Sequence, residues 1–282
     1  MTPARDRRAD LRSRRPEWTP WLDIIEEIAR EPSSRAWDAA VPASTTIAGP
    51  PTPYLAGKNV VLEVAPVREL LRRLITIASS GTSSLATLRS LLDGGCDAAA
   101  LFEASLRQDT DSITRAAVER GADAAALDAV VNLIALPFLQ ACNRRWGTDA
   151  SLGWQEGHCS VCGARPAFAE LRGIERTRVF RCARCGGGWH ARPLHCPYCG
   201  LDDHNALVSL VPGNDDMNAV IEACRSCLGY VKTFTRLQGC TPDMVMFDDL
   251  ASVHLDVAAI EQGYARPQGP GCKLDTSLSW IA

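Results

Sequence analysis

Four Cys-x-x-Cys pairs are the residues of this sequence whose type and spacing point most directly to chemistry. The pairs are Cys159 with Cys162, Cys182 with Cys185, Cys196 with Cys199, and Cys224 with Cys227. Because two intervening residues let one tight turn direct both sulfurs at the same cation, two such turns supply the four ligands of a tetrahedral site. The eight sulfurs therefore predict two metal sites, of the kind that hold zinc or a rubredoxin-type iron.

The gaps between the pairs indicate which pairs share a site. Nineteen residues separate Cys162 from Cys182, within the range of about 15 to 20 that is typical of zinc ribbons, and 24 separate Cys199 from Cys224. These gaps favour sequential grouping of the pairs over an interleaved arrangement. Glycine directly follows three of the pairs, and Gly229 comes one residue later after the fourth. Glycine tolerates the positive φ that a backbone needs to curl around a thiolate.

The pattern leaves the role of the metal open. Closed four-cysteine sites are commonly structural and contribute folding free energy to small β modules. Redox or metal-dependent chemistry is the functional alternative, because thiolates also hold iron and react when exposed. A thioredoxin-like dithiol would require a βαβ context, which the sequence around these pairs does not predict.

Histidines and arginines accompany the cysteine pairs. Three histidines are predicted to hydrogen-bond to the thiolates rather than to bind metal, since eight thiolates already suffice: His158, His190 and His195. Seven arginines face only two glutamates between residues 165 and 192, and they either balance the negative charge of a tetrathiolate site or bind an acidic protein segment or RNA. The seven are Arg165, Arg172, Arg176, Arg178, Arg181, Arg184 and Arg192. Among the remaining cysteines, Cys96 and Cys142 are predicted to be small core residues of apolar helices, and the pattern assigns no role to Cys240 and Cys272.

The elements that must position the cysteines differ between the two halves of the chain. From residue 60 to residue 146 apolar residues recur at helical spacing, which predicts helices. Pro137 is expected to kink the long apolar segment there. After residue 151 short β-type runs alternate with glycine and cysteine turns, which predicts small hairpins. A last helix is predicted over 248–262.

We therefore expect an α+β protein, in which an all-helical N-terminal domain precedes two small metal modules of rubredoxin or zinc-ribbon type and a C-terminal helix. The expected divisions are a lead-in with a short helix over 1–56, a helical domain over 57–150, a first tetracysteine module over 151–193, and a second such module with the C-terminal helix over 194–282.

Composition and charge narrow the class of protein. The chain has 282 residues, of which 46% are hydrophobic and 22% charged, which excludes a disordered or fibrous protein. Its net charge of −3 gives no overall positive field for nucleic acid, which counts against the alternative of a zinc-ribbon nucleic-acid-binding protein. The sequence lacks phosphate-binding, dinucleotide, zinc-protease and nucleophile-elbow motifs, so no ordinary enzyme active site is predicted.

The sequence also predicts a compartment. The basic N-terminal segment around Ser13-Arg14-Arg15 is not followed by the apolar run of an export signal. The most apolar stretch, 129–138, is far shorter than the roughly 20 residues that cross a bilayer. We therefore expect a cytoplasmic protein without a membrane association, in which paired cysteines are more often metal ligands or redox groups than disulfides.

The order of motifs around the cysteine pairs resembles a known family, the formate dehydrogenase accessory (formation) proteins, FdhE. The resemblance covers about residues 157–266. Its motifs are Cys159-x-x-Cys162-Gly163, Arg181-Cys182-x-x-Cys185 with Trp189-His190, Cys196-x-x-Cys199, Cys224-x-x-Cys227 with Tyr230-Val231-Lys232, Asp248-Asp249-Leu250-Ala251-Ser252, Leu255-Asp256, and Glu261-Gln262-Gly263-Tyr264-Ala265-Arg266.

The resemblance implies a function as well as a fold. It implies a cytoplasmic maturation factor, or chaperone, that contacts the molybdenum- or tungsten-containing catalytic subunit of respiratory formate dehydrogenase before export or membrane association. It implies that the protein is not itself the dehydrogenase. It further implies a helical N-terminal part and two rubredoxin-type modules, with iron as the metal and the eight paired cysteines as its ligands.

Overall fold

The computed structural model describes residues 3–31, 35–43, 51–93, 95–211 and 218–281. The rest of the chain, including parts of the predicted lead-in over 1–56, lies outside the described residues. The chain divides into two compact units. The first comprises residues 1–44, 57–142 and 275–282, and the second comprises residues 45–56 and 143–274. All eight paired cysteines belong to the second unit.

The first unit consists mainly of short helices, as the helical periodicity predicts. The helices up to the unit boundary are α1 (Pro3–Arg14), α2 (Thr19–Arg30), α3 (Arg35–Ala40), α4 (Val64–Ala78), α5 (Ser83–Ala86), α6 (Ser90–Asp93), α7 (Ala98–Arg107), α8 (Thr110–Arg120), α9 (Ala124–Val131) and α10 (Leu136–Ser151), the last of which ends in the second unit. Amphipathic α2 and α4 bury one apolar face each, including Ile24, Ile28, Leu70 and Leu74.

Aspartate side chains begin three of these helices. Asp97, Asp109 and Asp123 each accept a hydrogen bond from the backbone N–H three residues later. Such a cap satisfies a donor at the helix N-terminus that has no partner within the helix. The unit also holds a feature that helical periodicity does not predict: strands β1 (Asn59–Glu63) and β8 (Ser277–Ile281) pair in parallel.

Pro137 does not kink a long helix. It occupies the second position of α10, after a turn over 132–135 that separates α10 from α9. Proline is compatible with the first helical turn, because the N–H that it lacks would have no acceptor there. The stretch Ala124–Ser151 is long and apolar enough to cross a membrane, but 67% of its most apolar window is buried inside the protein, as in a core helix. Cys142 is buried in α10, whereas Cys96 lies in the turn before α7 and not in a helix.

The second unit is built on one six-stranded sheet. Its strands are β2 (Phe168–Arg172), β3 (Thr177–Arg181), β4 (Gly188–His190), β5 (Leu207–Leu210), β6 (Ala219–Cys224) and β7 (Tyr230–Arg236), in the spatial order β4-β3-β2-β7-β6-β5. The pairing of β2 with β7 is parallel, and the other pairings are antiparallel. The region of the first two cysteine pairs supplies β2 to β4, and the region of the last two supplies β5 to β7, so the β2–β7 pairing joins both regions in one sheet.

Helices α11 (Val245–Ala251) and α12 (Val253–Glu261) replace the single helix predicted over 248–262. The helical conformation is interrupted between them at Ser252, whose side-chain hydroxyl donates a hydrogen bond to the carbonyl of Asp248. Val245 and Leu255 pack with Phe168, Ile221 and Tyr230 of the sheet in one buried cluster. The α+β fold class is confirmed, with helices in the N-terminal region and both four-cysteine groups in the sheet-containing unit.

Candidate metal centres

The eight cysteines of the four pairs form two clusters of sulfur atoms. Cys159, Cys162, Cys182 and Cys185 form the first cluster, and Cys196, Cys199, Cys224 and Cys227 form the second. Within each cluster all four sulfurs lie within 4.8 Å of one another. The structure therefore brings together the first pair with the second and the third with the fourth, which is sequential grouping.

All four pairs fold into the same turn. In each turn the N–H four residues after the first cysteine donates to the carbonyl of that cysteine, as in Gly163 N to Cys159 O at 2.9 Å. In each, the N–H of the first cysteine donates to the carbonyl five residues later, as in Cys182 N to Gly187 O at 3.0 Å. In these turns backbone N–H groups face the sulfurs. The Gly187 nitrogen, for example, lies 3.4 Å from the Cys185 sulfur. A repeated backbone conformation thus aims both sulfurs of every pair at one point.

The residue after the second cysteine of each pair has a left-handed conformation. Gly163, Gly186 and Gly200 have φ values of 69°, 72° and 76°, and Leu228 has φ 57°. The fourth turn therefore places leucine, and not Gly229, at the left-handed position. Gly229 has a different reason to be glycine, because a Cβ there would lie 2.4 Å from the ring of Tyr198.

Replacing Leu228 with glycine is expected to stabilise the second cluster. A left-handed conformation costs a residue with a Cβ about 1–2 kcal/mol, and glycine's greater chain entropy offsets about 0.5–1 kcal/mol of that gain. Leu228 is 53% exposed, and loss of its partly buried side chain offsets a further part of that gain. We expect a net gain of up to about 1 kcal/mol in the free energy of unfolding, measured by chemical denaturation. As a matched control, Gly200→Ala should lower it by a similar amount, since a Cβ at Gly200 meets only His195 at 3.9 Å.

The first cluster is enclosed by the protein. All four of its cysteines are at most 1% exposed. Tyr54 N and Leu55 N donate to the carbonyls of Ser160 and Val161, which lie between the first two cysteines. A Cβ at Gly186 would lie 2.8 Å from the carbonyl oxygen of Pro242. Other chain segments therefore cover both turns of this cluster.

Burial and mutual hydrogen bonding act on the thiols of the first cluster. Burial raises the pKa of Cys159 well above the ordinary thiol value. Hydrogen bonds from Cys159, Cys162 and Cys185 hold the pKa of Cys182 well below that value. Any thiolate at one of these neighbouring sulfurs disfavours a second one beside it unless a cation balances the negative charge.

The second cluster is partly open to solvent. Cys196 and Cys224 are buried, whereas Cys199 and Cys227 are exposed. Its fourth turn is held by the tail of the chain, because Ala265 N donates to the carbonyl of Leu228 at 2.9 Å. The two clusters therefore have the same backbone but differ in their access to solvent.

The sulfur geometry of both clusters fits a tetrahedral metal ion. Four sulfurs at about 2.3 Å from a central ion lie about 3.8 Å from one another. The cross-pair distances are 3.5 Å for Cys159–Cys185, 3.6 Å for Cys162–Cys182, 3.6 Å for Cys196–Cys227 and 3.8 Å for Cys199–Cys224. Four thiolates form a donor set that suits zinc or iron. Both clusters could therefore hold a metal ion, and the donor set does not distinguish these two metals.

The three histidines make contacts other than the predicted hydrogen bonds to thiolates. His158 packs edge-on against Trp154, with ring centroids 5.3 Å apart. The His195 ring lies 3.0 Å from the Arg192 guanidinium, and burial is the main cause that lowers its pKa. His190 is exposed at the end of β4. Backbone amides, as at Gly187, donate to the sulfurs, and hydrogen bonding from these histidines to the thiolates stays a prediction.

Two of the seven arginines are buried inside the second unit. Arg178 donates to the carbonyls of Arg192 and His195, each at 3.0 Å, and pairs with Glu222. Arg181 donates to the carbonyls of Cys240 at 2.7 Å and Gly186 at 2.9 Å. The Arg181 bond to Gly186 fixes the turn of the second cysteine pair. Both side chains thus hold the protein together and do not present an open basic surface.

The other five arginines have differing surroundings. Arg172 pairs with Glu170, and the Arg165 guanidinium lies over the Tyr198 ring at 5.6 Å from its centroid. Arg184 is half-buried, and burial lowers its pKa while the thiolates of the first cluster oppose that effect. Arg176 and Arg192 are exposed. The seven arginines therefore do not share one environment.

An ion network beneath the sheet contains residues whose role the sequence did not reveal. Lys232 of β7 is fully buried, and its Nζ lies 2.7 Å from the Asp249 carboxylate and 2.9 Å from that of Asp256. Arg266 pairs with the same two carboxylates at 2.8 and 2.7 Å. The Tyr230 hydroxyl also donates to Asp256, at 2.7 Å. These residues belong to the motifs quoted for the family resemblance, which was the only signal in the sequence that pointed to them.

The ion network positions the second cluster. Tyr230 lies three residues after Cys227, and Arg266 directly follows Ala265, which binds the carbonyl of Leu228. A second network lies nearby, in which buried Glu170 accepts hydrogen bonds from Cys240 N at 2.9 Å and from Arg236 at 3.1 Å. The charged groups thus fix α11, α12 and the chain after them against the strands that carry the cysteine turns.

The fold and the two clusters define a cysteine-rich protein with two candidate metal centres. Residues 194–270 match the family model described as FdhE, C-terminal domain. This region, which holds the second cluster and the ion network, is thus similar to FdhE C-terminal domains, and the resemblance predicted from the sequence is confirmed.

The chain is also similar to curated relatives in part of its sequence and to one solved structure in its fold. The chain is 34% identical to the FdhE homolog of Pseudomonas aeruginosa over 146 residues, which are 46% of this chain and 47% of that protein. It is 32% identical to protein FdhE of Escherichia coli O127:H6 over 121 residues, 42% of this chain and 38% of that protein. The match thus spans less than half the length of these curated relatives. The crystal structure of the FdhE protein from Pseudomonas aeruginosa shares the fold, with a TM-score of 0.58 and 21% identity over 96% of this chain and 94% of that one.

Proposed function

We propose that this protein is a cytoplasmic maturation factor that binds the catalytic subunit of respiratory formate dehydrogenase and supports its assembly or activation. The observation that carries the proposal is the coincidence of an FdhE C-terminal domain with two clusters of four cysteines. The protein acts by binding and is not the dehydrogenase. Its helical N-terminal unit and its metal-bearing unit are the two parts available to contact the client.

In this proposal the eight clustered cysteines are the ligands of two metal ions. Cross-pair sulfur distances of 3.5–3.8 Å support that assignment, because they fit the edges of a tetrahedral site. We favour iron over zinc, as the family resemblance implies. When bound, the metal supplies folding free energy and a charge that balances the thiolates.

Of the seven arginines between residues 165 and 192, the exposed ones are the candidates for binding the client. Arg176 and Arg192 are open to solvent, whereas Arg178 and Arg181 are committed to partners inside the protein. Burial of the latter two also weakens the alternative of a zinc-ribbon nucleic-acid-binding protein, which requires an open basic face.

Co-purification tests the proposed function. We expect the affinity-tagged chain to retain the catalytic subunit when both are produced in a host that makes a respiratory formate dehydrogenase. Cys224→Ser with Cys227→Ser should reduce that retention, and Cys96→Ser, a matched exchange outside both clusters, should not. Retention no higher than that of the tag alone would contradict the proposal.

A further inference from the structure

The two clusters differ in how much chain surrounds them, although their turns are alike. In the first cluster the residues between the cysteines are buried or half-buried: Ser160, Val161, Ala183 and Arg184. In the second cluster Arg225 and Ser226 are exposed together with Cys227. The difference therefore extends from the sulfurs to the fourth turn, whereas Pro197 and Tyr198 of the third turn are half-buried.

The space around the glycines of the turns also differs between the two clusters. A Cβ at Gly163 would lie 2.6 Å from the carbonyl oxygen of Cys272, and one at Gly186 would lie 2.7 Å from Pro242. A Cβ at Gly200, in the second cluster, would meet only the His195 ring at 3.9 Å. Both glycines of the first cluster are thus pressed against other chain segments, whereas the third turn has free space beside Gly200 and packs closely only where its Pro197 meets Gly157.

A pocket borders the second cluster. The pocket measures about 260 Å³, and Cys196 and Cys224 form part of its wall with Tyr198 and Val231. The two cysteines that are shielded from bulk solvent thus border a cavity, and the other two are exposed. The second cluster is thus bordered by solvent at Cys199 and Cys227 and by a cavity at Cys196 and Cys224.

We propose that the second cluster is an exchange site, at which an incoming thiol replaces Cys199 or Cys227 as a ligand, while the first cluster is a closed structural site. The inference rests on the proposed assignment of the eight cysteines as metal ligands. In the exchange, the sulfur of the incoming thiol forms a bond to the metal and the bond from Cys227 breaks. The proton of the incoming thiol passes to the released Cys227 sulfur, so no oxidant or reductant is consumed.

Enclosure explains why the first cluster does not exchange in the same way. An incoming thiol must reach the metal before a resident thiolate leaves, and segments around Tyr54, Pro242 and Cys272 cover that approach. Opening the first cluster requires local unfolding of the sheet-bearing unit, which is rare under native conditions. The chemical class of ligand for the second cluster is therefore a soft thiolate, such as a cysteine of a bound protein or a small thiol.

Release kinetics of zinc-loaded, full-length protein test the inference. We would mix the protein with excess 4-(2-pyridylazo)resorcinol, with and without glutathione, and follow the chelator's absorbance. We expect one of two zinc equivalents to leave at least about tenfold faster than the other, and glutathione to accelerate only that equivalent. Equal release rates, or acceleration of both equivalents, would overturn the inference.

A pulse of N-ethylmaleimide followed by mass spectrometry assigns the fast site in the unmodified chain. We expect alkylation first at Cys199 and Cys227, with Cys159 and Cys162 protected; early alkylation in the first cluster would overturn the inference. The Cys227→Ser variant should lack the fast equivalent and keep the slow one. A protein that binds no metal would contradict the ligand assignment itself, whereas two equally slow metals would contradict only the exchange site.

Discussion

Replacing Cys182 and Cys185 together with serine is expected to empty the first cluster and to halve the metal bound by each chain. The two sulfurs face Cys159 and Cys162, so the substitution removes half of one ligand set and none of the other. The loss is large because a structural four-cysteine site contributes about 10–16 kcal/mol of apparent binding free energy, as much as the whole stability of a typical domain. Strands β2 to β4 should therefore lose their order while the second cluster keeps its metal.

Elemental analysis and circular dichroism measure these effects. We expect one metal ion per chain in place of two, with a reduced β signal and a lower melting temperature. Cys96→Ser is the control, since Cys96 lies outside both clusters. Loss of both metals would contradict independent sites, and retention of both would contradict the assignment of these cysteines as ligands.

Replacing Lys232 with methionine is expected to lower the free energy of unfolding by about 3–5 kcal/mol. The Lys232 side chain is completely buried between Asp249 and Asp256, and methionine cannot balance their charge. Arg266 then remains as their cation in the network and is 31% exposed. Removing one partner from a buried ion network leaves a carboxylate that is desolvated without full compensation.

Chemical denaturation of metal-loaded protein measures this change. Exposed Lys273 supplies the matched control, and Lys273→Met should alter stability by no more than about 0.5 kcal/mol. A loss of less than about 1 kcal/mol for Lys232→Met would show that the network does not stabilise the unit. We also expect faster zinc release from Lys232→Met, because α12 and the chain after it hold the fourth cysteine turn.

Local spacing of the cysteines was sufficient to predict the two clusters. The sheet that carries them depends on strand pairing over long sequence distances, which the sequence did not predict. Two residues between cysteines set the turn, and the 19- and 24-residue gaps each accommodate a hairpin, so sequential grouping followed from the sequence. The common sheet did not, because β2 and β7 pair across about 60 residues with no local signal in the sequence between them. Strand pairing over such distances depends on which faces become buried.

The arginines show the same limit. Their density between residues 165 and 192 indicated a local excess of positive charge with two alternative roles, because sequence alone counts charges without their partners. Arg178 and Arg181 lie on opposite faces of β3. Arg178 pairs with Glu222, which is distant in sequence, and Arg181 pairs with Glu170 of the neighbouring strand β2. Leu228 likewise occupies a conformation that local preference assigns to glycine.

Metal stoichiometry and ligation of the purified wild-type protein test whether the eight clustered cysteines hold two metal ions. We would measure iron and zinc by elemental analysis of protein prepared without added metal, and determine the ligand atoms by X-ray absorption spectroscopy. We expect two metal ions per chain, each bound by four sulfurs at about 2.3 Å. Fewer than one metal ion per chain, with the eight thiols free to react, would contradict it.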